Sequence, residues 1–342
     1  MDILIKSFNR PYYLDRCLKS IYQYVTGDFA IKILDDGTPP AYLERILKLY
    51  PQVQILCSPQ YASKVEAIGA HIQLGRPYNQ TEIPTDFWIE SVKGSTEFFL
   101  LLEDDIWLTN PVDMHEVQHV MQQENMALLR LSWQGNEKLI AGAVHPVSRQ
   151  IAEIKPAINK WRKLIFSNQF KFRSVGYRLG FFRDIMPYQL PMYVLYAVAS
   201  AFFNKPYWLY LWQGAGKRVN EGNQLQKALN WYGQRRSAVH SRYGKMQQES
   251  AQTSYLTSTN NGYPADGHPE VKCDMLQVNH WLNEAWLSGD LDVMQNFPAD
   301  FTIVYLAQFL EKANESQVLY DDWLVWITQF KQDYRRLGCV VD

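Results

Sequence analysis

Short apolar runs alternate with amphipathic helical patterns through the first half of the chain. The runs are Ile3–Ile5, Ile31–Leu34, Val53–Leu56, Phe98–Leu102 and Leu128–Leu131. Between the first two, Leu14, Cys17, Leu18, Ile21, Tyr22 and Val25 recur at helical spacing. Leu43, Ile46, Leu47 and Tyr50 repeat that pattern before the third run. Strands that are apolar without interruption and are separated by helices predict a parallel sheet covered on both faces. The expected fold class is α/β.

From Met186 to Gly216 the composition shifts. Lys205 is the single charge there, and Met192–Phe203 is nearly unbroken apolar. That run is well short of the roughly 20 residues a membrane-spanning helix needs. A buried helix or a hydrophobic acceptor-site insertion is therefore predicted. The second reading is an interfacial element with Tyr207, Trp208, Tyr210 and Trp212 at headgroup level, but no basic polar face supports it. Beyond Lys245 the chain turns polar. Ser250–Gly262 and Asn261–Pro269 read as loops, and Met275–Leu287, Asp300–Lys312 and Tyr320–Leu337 as amphipathic helices.

Parallel sheets bind ligands beyond the carboxyl ends of their strands, so the residues that follow each apolar run carry the chemistry. Lys6-Ser7-Phe8-Asn9-Arg10-Pro11 follows the first run and Asp35-Asp36-Gly37-Thr38 the second. Glu103-Asp104-Asp105 follows Phe98–Leu102. Three adjacent carboxylates at the end of a buried strand repel one another, and a cation is a common offset. Oxygen ligands without nearby Cys or His favour Mg²⁺ or Mn²⁺. The plainer reading is that these acids cap a helix or sit in water. Asp-Gly is by itself an ordinary turn signal, and Asn9-Arg10-Pro11 is a plausible helix start. There is no G-x-G-x-x-G after the first strand and no G-x-x-x-x-G-K-[ST] anywhere; Gly214-Ala215-Gly216-Lys217 lacks the spacing.

Composition narrows the classes further. The 342 residues carry Lys+Arg 34 against Asp+Glu 35, so no global field points to nucleic acid or an anionic surface. Four widely spaced cysteines argue against a zinc knot or a disulfide scaffold and suit a reducing compartment. Because a strand-like segment starts at Asp2–Ile5, no signal peptide is expected. Cytoplasmic localisation is expected, with room for peripheral contact with the inner face of a membrane.

Taken together these segments resemble family 2 glycosyltransferases. Ile3-Leu4-Ile5-Lys6-Ser7-Phe8-Asn9-Arg10-Pro11, Leu14 to Ile21, and Ile33-Leu34-Asp35-Asp36-Gly37-Thr38 are similar to the opening of that family, and Leu101-Leu102-Glu103-Asp104-Asp105 falls at its Asp-x-Asp motif. The resemblance implies a GT-A fold, a Rossmann-like mostly parallel sheet with a helical C-terminal extension. Residues 1–245 would form the transferase domain: 1–130 the nucleotide-binding half, 131–245 the acceptor half with its apolar insertion. Residues 246–342 would form the extension.

The same resemblance implies site roles. Ser7, Phe8, Asn9, Arg10, Asp35, Asp36, Lys64 and Asp104 would bind the donor nucleotide. Asp105, with Glu103 and His240, would hold Mn²⁺ or Mg²⁺. Gly176, Leu179 and Gly180, within Ser174–Phe182, would lie under the donor sugar. Glu221 falls where the family has its x-Glu-Asp base motif, with Gly222 in place of the second acid. Asp266, Glu270 and Asp321 are substitute bases; Asp321-Asp322-Trp323 otherwise reads as a helix start. The implied reaction is inverting transfer from a nucleotide-diphosphate sugar, most often a UDP-sugar, to a saccharide or lipid-linked acceptor, as in polysaccharide biosynthesis. A nucleotidyltransferase would need a Gly-rich basic phosphate loop, which Asn9-Arg10-Pro11 does not supply. A catalytically silent nucleotide-sugar-binding protein is the third reading.

Overall fold

The computed structural model describes residues 1–167, 171–181, 186–233, 240–259, 271–313 and 317–341. Among these, nine strands form one sheet: β1 (Asp2–Ser7), β2 (Ala30–Asp35), β3 (Gln54–Cys57), β4 (Phe98–Glu103), β5 (Met126–Arg130), β6 (Gly142–Pro146), β7 (Ile151–Pro156), β8 (Ala201–Asn204) and β9 (Arg242–Met246). Their spatial order is β3-β2-β1-β4-β8-β5-β9-β7-β6. β3, β2, β1 and β4 are mutually parallel, β8 runs antiparallel between β4 and β5, and β7 opposes β9 and β6. β5 and β9 are parallel. The fold class is the expected α/β one, with a mostly parallel sheet, flanking helices and a helical C-terminal segment.

Period-2 alternation sorts the strand residues between two cores. Ile3, Ile5, Ile31, Ile33, Leu100 and Leu102 face one side, where α1 (Pro11–Tyr24), α2 (Pro40–Leu49) and α5 (Met114–Gln123) pack. Leu4, Leu34, Phe99 and Leu101 face the other, covered by α4 (Thr85–Lys93), α8 (Lys205–Trp212) and α9 (Glu221–Gly233). Between these lie α3 (Tyr61–Leu74), α6 (Lys160–Phe166) and α7 (Phe172–Arg178). The C-terminal helices are α10 (Met275–Ser288), α11 (Ile303–Ala313) and α12 (Gln317–Leu337). They share the first core with α1.

Two expectations change. Met192–Phe203 is not one helix: Leu190–Leu195 is a 3₁₀ turn, Ser200 takes φ 56°, and the chain then enters β8. Tyr207, Trp208 and Trp212 are buried in the second core, so this stretch is interior and not interfacial. Within the expected loop Ser250–Gly262, Ala251–Thr253 pairs antiparallel with Ile106–Leu108. No helix among the described residues is long and apolar enough to cross a membrane.

Arg16 of α1 ties the C-terminal segment to this frame. Its side chain is wholly buried. It donates to the carbonyls of Val293 (2.6 Å), Gln295 (3.2 Å) and Ala299, and lies 4.5 Å from the Trp107 ring and 4.6 Å from that of Phe301. Arg16→Met would leave those carbonyls buried without a donor. We expect a loss of about 3–5 kcal/mol in urea unfolding, with Arg16→Lys recovering part of it. An unchanged midpoint would show that the anchor is dispensable.

Candidate active site

The carboxyl ends of β1, β2 and β4 lie side by side and open onto one cleft. Register sets the first contact: Lys6 of β1 is paired with Glu103 of β4, and Lys6 Nζ sits 2.6 Å from Glu103 Oε1. The chain then turns at Asn9, whose φ of 52° is tolerated by asparagine better than by most residues. Thr38 Oγ1 accepts from Asn9 N at 2.8 Å, and Asn283 of α10 donates to its carbonyl at 3.1 Å. The turn delivers Arg10, just ahead of α1, to the acidic cluster. Arg10 pairs with Asp104 and, at 2.8 Å, with Asp105 Oδ2. Phe8 N donates to Asp104 Oδ2 at 3.0 Å.

The cluster thus carries three carboxylates against two cations, with one negative charge left over. Burial would raise Glu103, but Lys6 outweighs it and holds that carboxyl below the usual range. Burial lowers the Arg10 guanidinium's hold on its proton, yet Asp104 and Asp105 more than restore it. The surplus falls on the aspartates. Burial pushes Asp104 up to about 7, with Asp105 adding to the push against the pull of Arg10. Asp105 is raised by burial too, with Arg10 opposing and Glu103 adding.

The same carboxylates offer hard oxygen ligands of the kind a divalent cation takes. Asp105 Oδ1 is buried without a hydrogen-bond partner, and Glu103 and Asp104 line the cleft. Among the described residues no three His, Cys, Asp or Glu side chains converge as a ready-made metal cage. The fit is to a cation held by one or two carboxylates and completed by diphosphate oxygens, as hard cations often are. His240 is not part of it. It packs on Phe98 (5.3 Å between rings) and lies 3.7 Å from Glu97, at the start of β4. Five residues of extended strand put it about 16 Å from Glu103.

On the other flank Asp35 and Asp36 divide their roles. Asp35 is fully buried and accepts from Gly37 N (3.0 Å), Thr38 N (2.8 Å) and Thr38 Oγ1 (2.6 Å), so it builds the turn. Asp36 lines the cleft, bonded to Ser58 Oγ and Lys64 Nζ, each at 2.5 Å. Lys64 also donates to Glu82 O at 2.6 Å and lies 5.7 Å from the Phe8 ring. Gly37, at φ 152°, is required here: a Cβ would meet Phe8 at 2.9 Å and Lys64 at 3.0 Å. Phe8 and Tyr78 (6.4 Å apart) form an aromatic wall. The Tyr78 hydroxyl and the Trp88 indole nitrogen line the same cleft, buried and without partners.

Glu221 opens α9, where Asn220 Oδ1 accepts from Asn223 N at 3.0 Å, as its capping pattern predicts. Tyr193 donates to Glu221 Oε2 at 2.7 Å. Tyr334 of α12, pushed up by burial, lies within electrostatic reach of Glu221, Glu103 and Asp105 together. A Cβ at Gly222 would meet only Asn220 Oδ1, at 3.6 Å, so nothing local demands glycine there.

Of the expected donor-binding residues, Ser7, Phe8, Arg10, Asp36, Lys64 and Asp104 line the cleft. Asn9 and Asp35 lie behind it as buried turn-builders. Gly176, Leu179 and Gly180 are on and just beyond α7 and are not among the lining residues; Leu179 is 62% exposed. Asp321 is exposed in the first turns of α12, and Asp266 and Glu270 lie outside the described residues. Pattern reading assigned Lys6 no role of its own and left Tyr78, Trp88, Tyr193 and Tyr334 unmarked. Only Lys6 left a signal, as a charge inside an apolar strand.

The elevated Asp104 couples stability to pH. Between about pH 4 and 7 the folded state keeps a proton that the unfolded chain has released, so this contribution falls as pH rises through that window. We expect wild type to lose about 2–4 kcal/mol of stability relative to Asp104→Asn from about pH 4 to pH 8 in chemical unfolding. Parallel curves for the two proteins would refute the proton's placement.

No family model matches the chain, and no curated protein matches it in sequence. Among solved structures it is similar to S. aureus TarS at 10% identity and TM-score 0.41, over 98% of this chain and 49% of that one. The chain thus spans about half the length of that protein. TarS 1–349 in complex with UDP-GlcNAc gives 10% identity and TM-score 0.40, over 98% of this chain and 82% of that one. Glucosyl-3-phosphoglycerate synthase from Mycobacterium tuberculosis, with Mn²⁺, UDP-glucose and phosphoglyceric acid, gives 11% and 0.34 over 70% and 66%. At this level of likeness nothing about the site transfers, and its own residues must decide.

Proposed function

We propose that this protein is a glycosyltransferase of the family 2 type, transferring a sugar from a nucleotide-diphosphate donor, a UDP-sugar by preference, to a hydroxyl acceptor. One observation carries the reading. At the carboxyl ends of three adjacent strands, an aromatic wall with buried unpaired donors stands beside a carboxylate cluster that keeps one negative charge and one orphaned oxygen.

The base would lie between Phe8 and Tyr78, with Asp36 and Lys64 at its edge. Asp104 and Asp105 would hold a Mn²⁺ or Mg²⁺ ion, which when bound would screen the leaving diphosphate. Glu221 accepts the acceptor hydroxyl's proton. The freed oxygen bonds to the anomeric carbon as the carbon–oxygen bond to the diphosphate breaks, and the nucleoside diphosphate departs. Attack from the face opposite the leaving group inverts the configuration, so no protein nucleophile is needed. The Tyr193 hydroxyl, which donates to Glu221 Oε2, would hold that carboxylate in one orientation for the transfer.

A panel of nucleotide sugars tests the reading: release of nucleoside diphosphate supports it, and pyrophosphate release or binding without turnover overturns it. Glu221→Gln should keep donor affinity and lose transfer by about a hundredfold or more. Asp105→Asn should abolish cation-dependent donor binding while the fold persists. Asp36→Ala should weaken the donor about tenfold, the scale of one charge-assisted bond. Asp35→Ala should instead lower the unfolding midpoint, because its turn loses three hydrogen bonds.

A further inference from the structure

The segment from 154 to 183 contains eight Lys and Arg and no Asp or Glu, in a chain whose net charge is −1. α6 and α7 fall within it, and they do not bury all their apolar residues. Trp161 is 54% exposed, Val175 47%, Leu179 62% and Phe181 76%. Trp161 of α6 packs edge-on to Phe172 of α7 at 4.9 Å. Phe172, Val175 and Leu179 follow at helical spacing, which makes one apolar stripe across both helices. Exposed Lys160, Lys171 and Arg178 flank that stripe at helical spacing. The pair is anchored from below by Ile165 and Phe166, which are buried.

We propose that the α6–α7 face docks on an anionic lipid bilayer. Aromatic and aliphatic tips flanked by basic side chains are the composition that binds an interface, the rings entering the headgroup boundary and the cations meeting lipid phosphates. Charge complementarity selects this occupant. A stripe this apolar without basic neighbours would suit a second copy of the chain, and a basic face without the stripe would suit a soluble polyanion. The surface lies outside the buried 186–216 stretch and owes nothing to the donor chemistry.

Co-sedimentation of the full chain with vesicles provides the test. Binding is expected to phosphatidylcholine vesicles that contain phosphatidylglycerol and not to phosphatidylcholine alone. Each basic residue at the surface contributes about fivefold, so Lys171→Glu with Arg178→Glu should weaken binding by at least about tenfold. Raising salt from about 0.1 M to 0.5 M should do the same to wild type. Trp161→Ser with Phe181→Ser should weaken binding while keeping its salt dependence. Circular dichroism checks that each variant folds, and Lys160→Glu serves if one does not. Equal binding to both vesicles, no binding to either, or unaltered binding by the charge variants would overturn the proposal. So would a dimer in light scattering that Trp161→Ser with Phe181→Ser dissolves.

Discussion

Charge neutralisation at the ends of two buried strands is the constraint on which the site depends. Glu103, Asp104 and Asp105 emerge together from β4, and their mutual repulsion in a dry setting would be prohibitive without nearby cations. β1 supplies Lys6 through strand register and Arg10 through the Asn9 turn. These ion pairs fasten the start of α1 to the end of β4. They also stop short of balance, which leaves a site that favours a proton or a cation.

The C-terminal segment works on this arrangement from behind. Asn283 secures the strained Asn9, Trp286 donates to Asp15 of α1 at 2.8 Å, and Arg16 reaches the carbonyls of the 293–299 loop. Trp323 of α12 donates to Leu256 O at 2.7 Å, which seats the helix that carries Tyr334. Loss of these contacts would free the Arg10 turn as well as the helix. The helices beyond residue 275 therefore support both the cluster and the flank where Glu221 sits.

Much of the fold was legible because buried parallel strands must be apolar and their covering helices amphipathic. The five apolar runs all became strands, and the first helix and the C-terminal helices fall near their expected bounds. Met192–Phe203 was not legible, because an apolar run buried on all sides reads alike as helix or strand. His240 misled for a related reason. A residue's place along the chain does not say at which end of a sheet it lies, and β9 begins on the side away from the acids.

By itself the sequence determined the α/β class and the strand ends that bear the acids, since these follow from local pattern and residue type. Only the tertiary structure decided which charges meet. Lys6 and Arg10 reach carboxylates nearly a hundred residues away, Tyr193 reaches Glu221, and Asp35 turns inward while Asp36 faces the cleft. These pairings depend on register, on a single left-handed turn and on burial, which no local window of sequence contains.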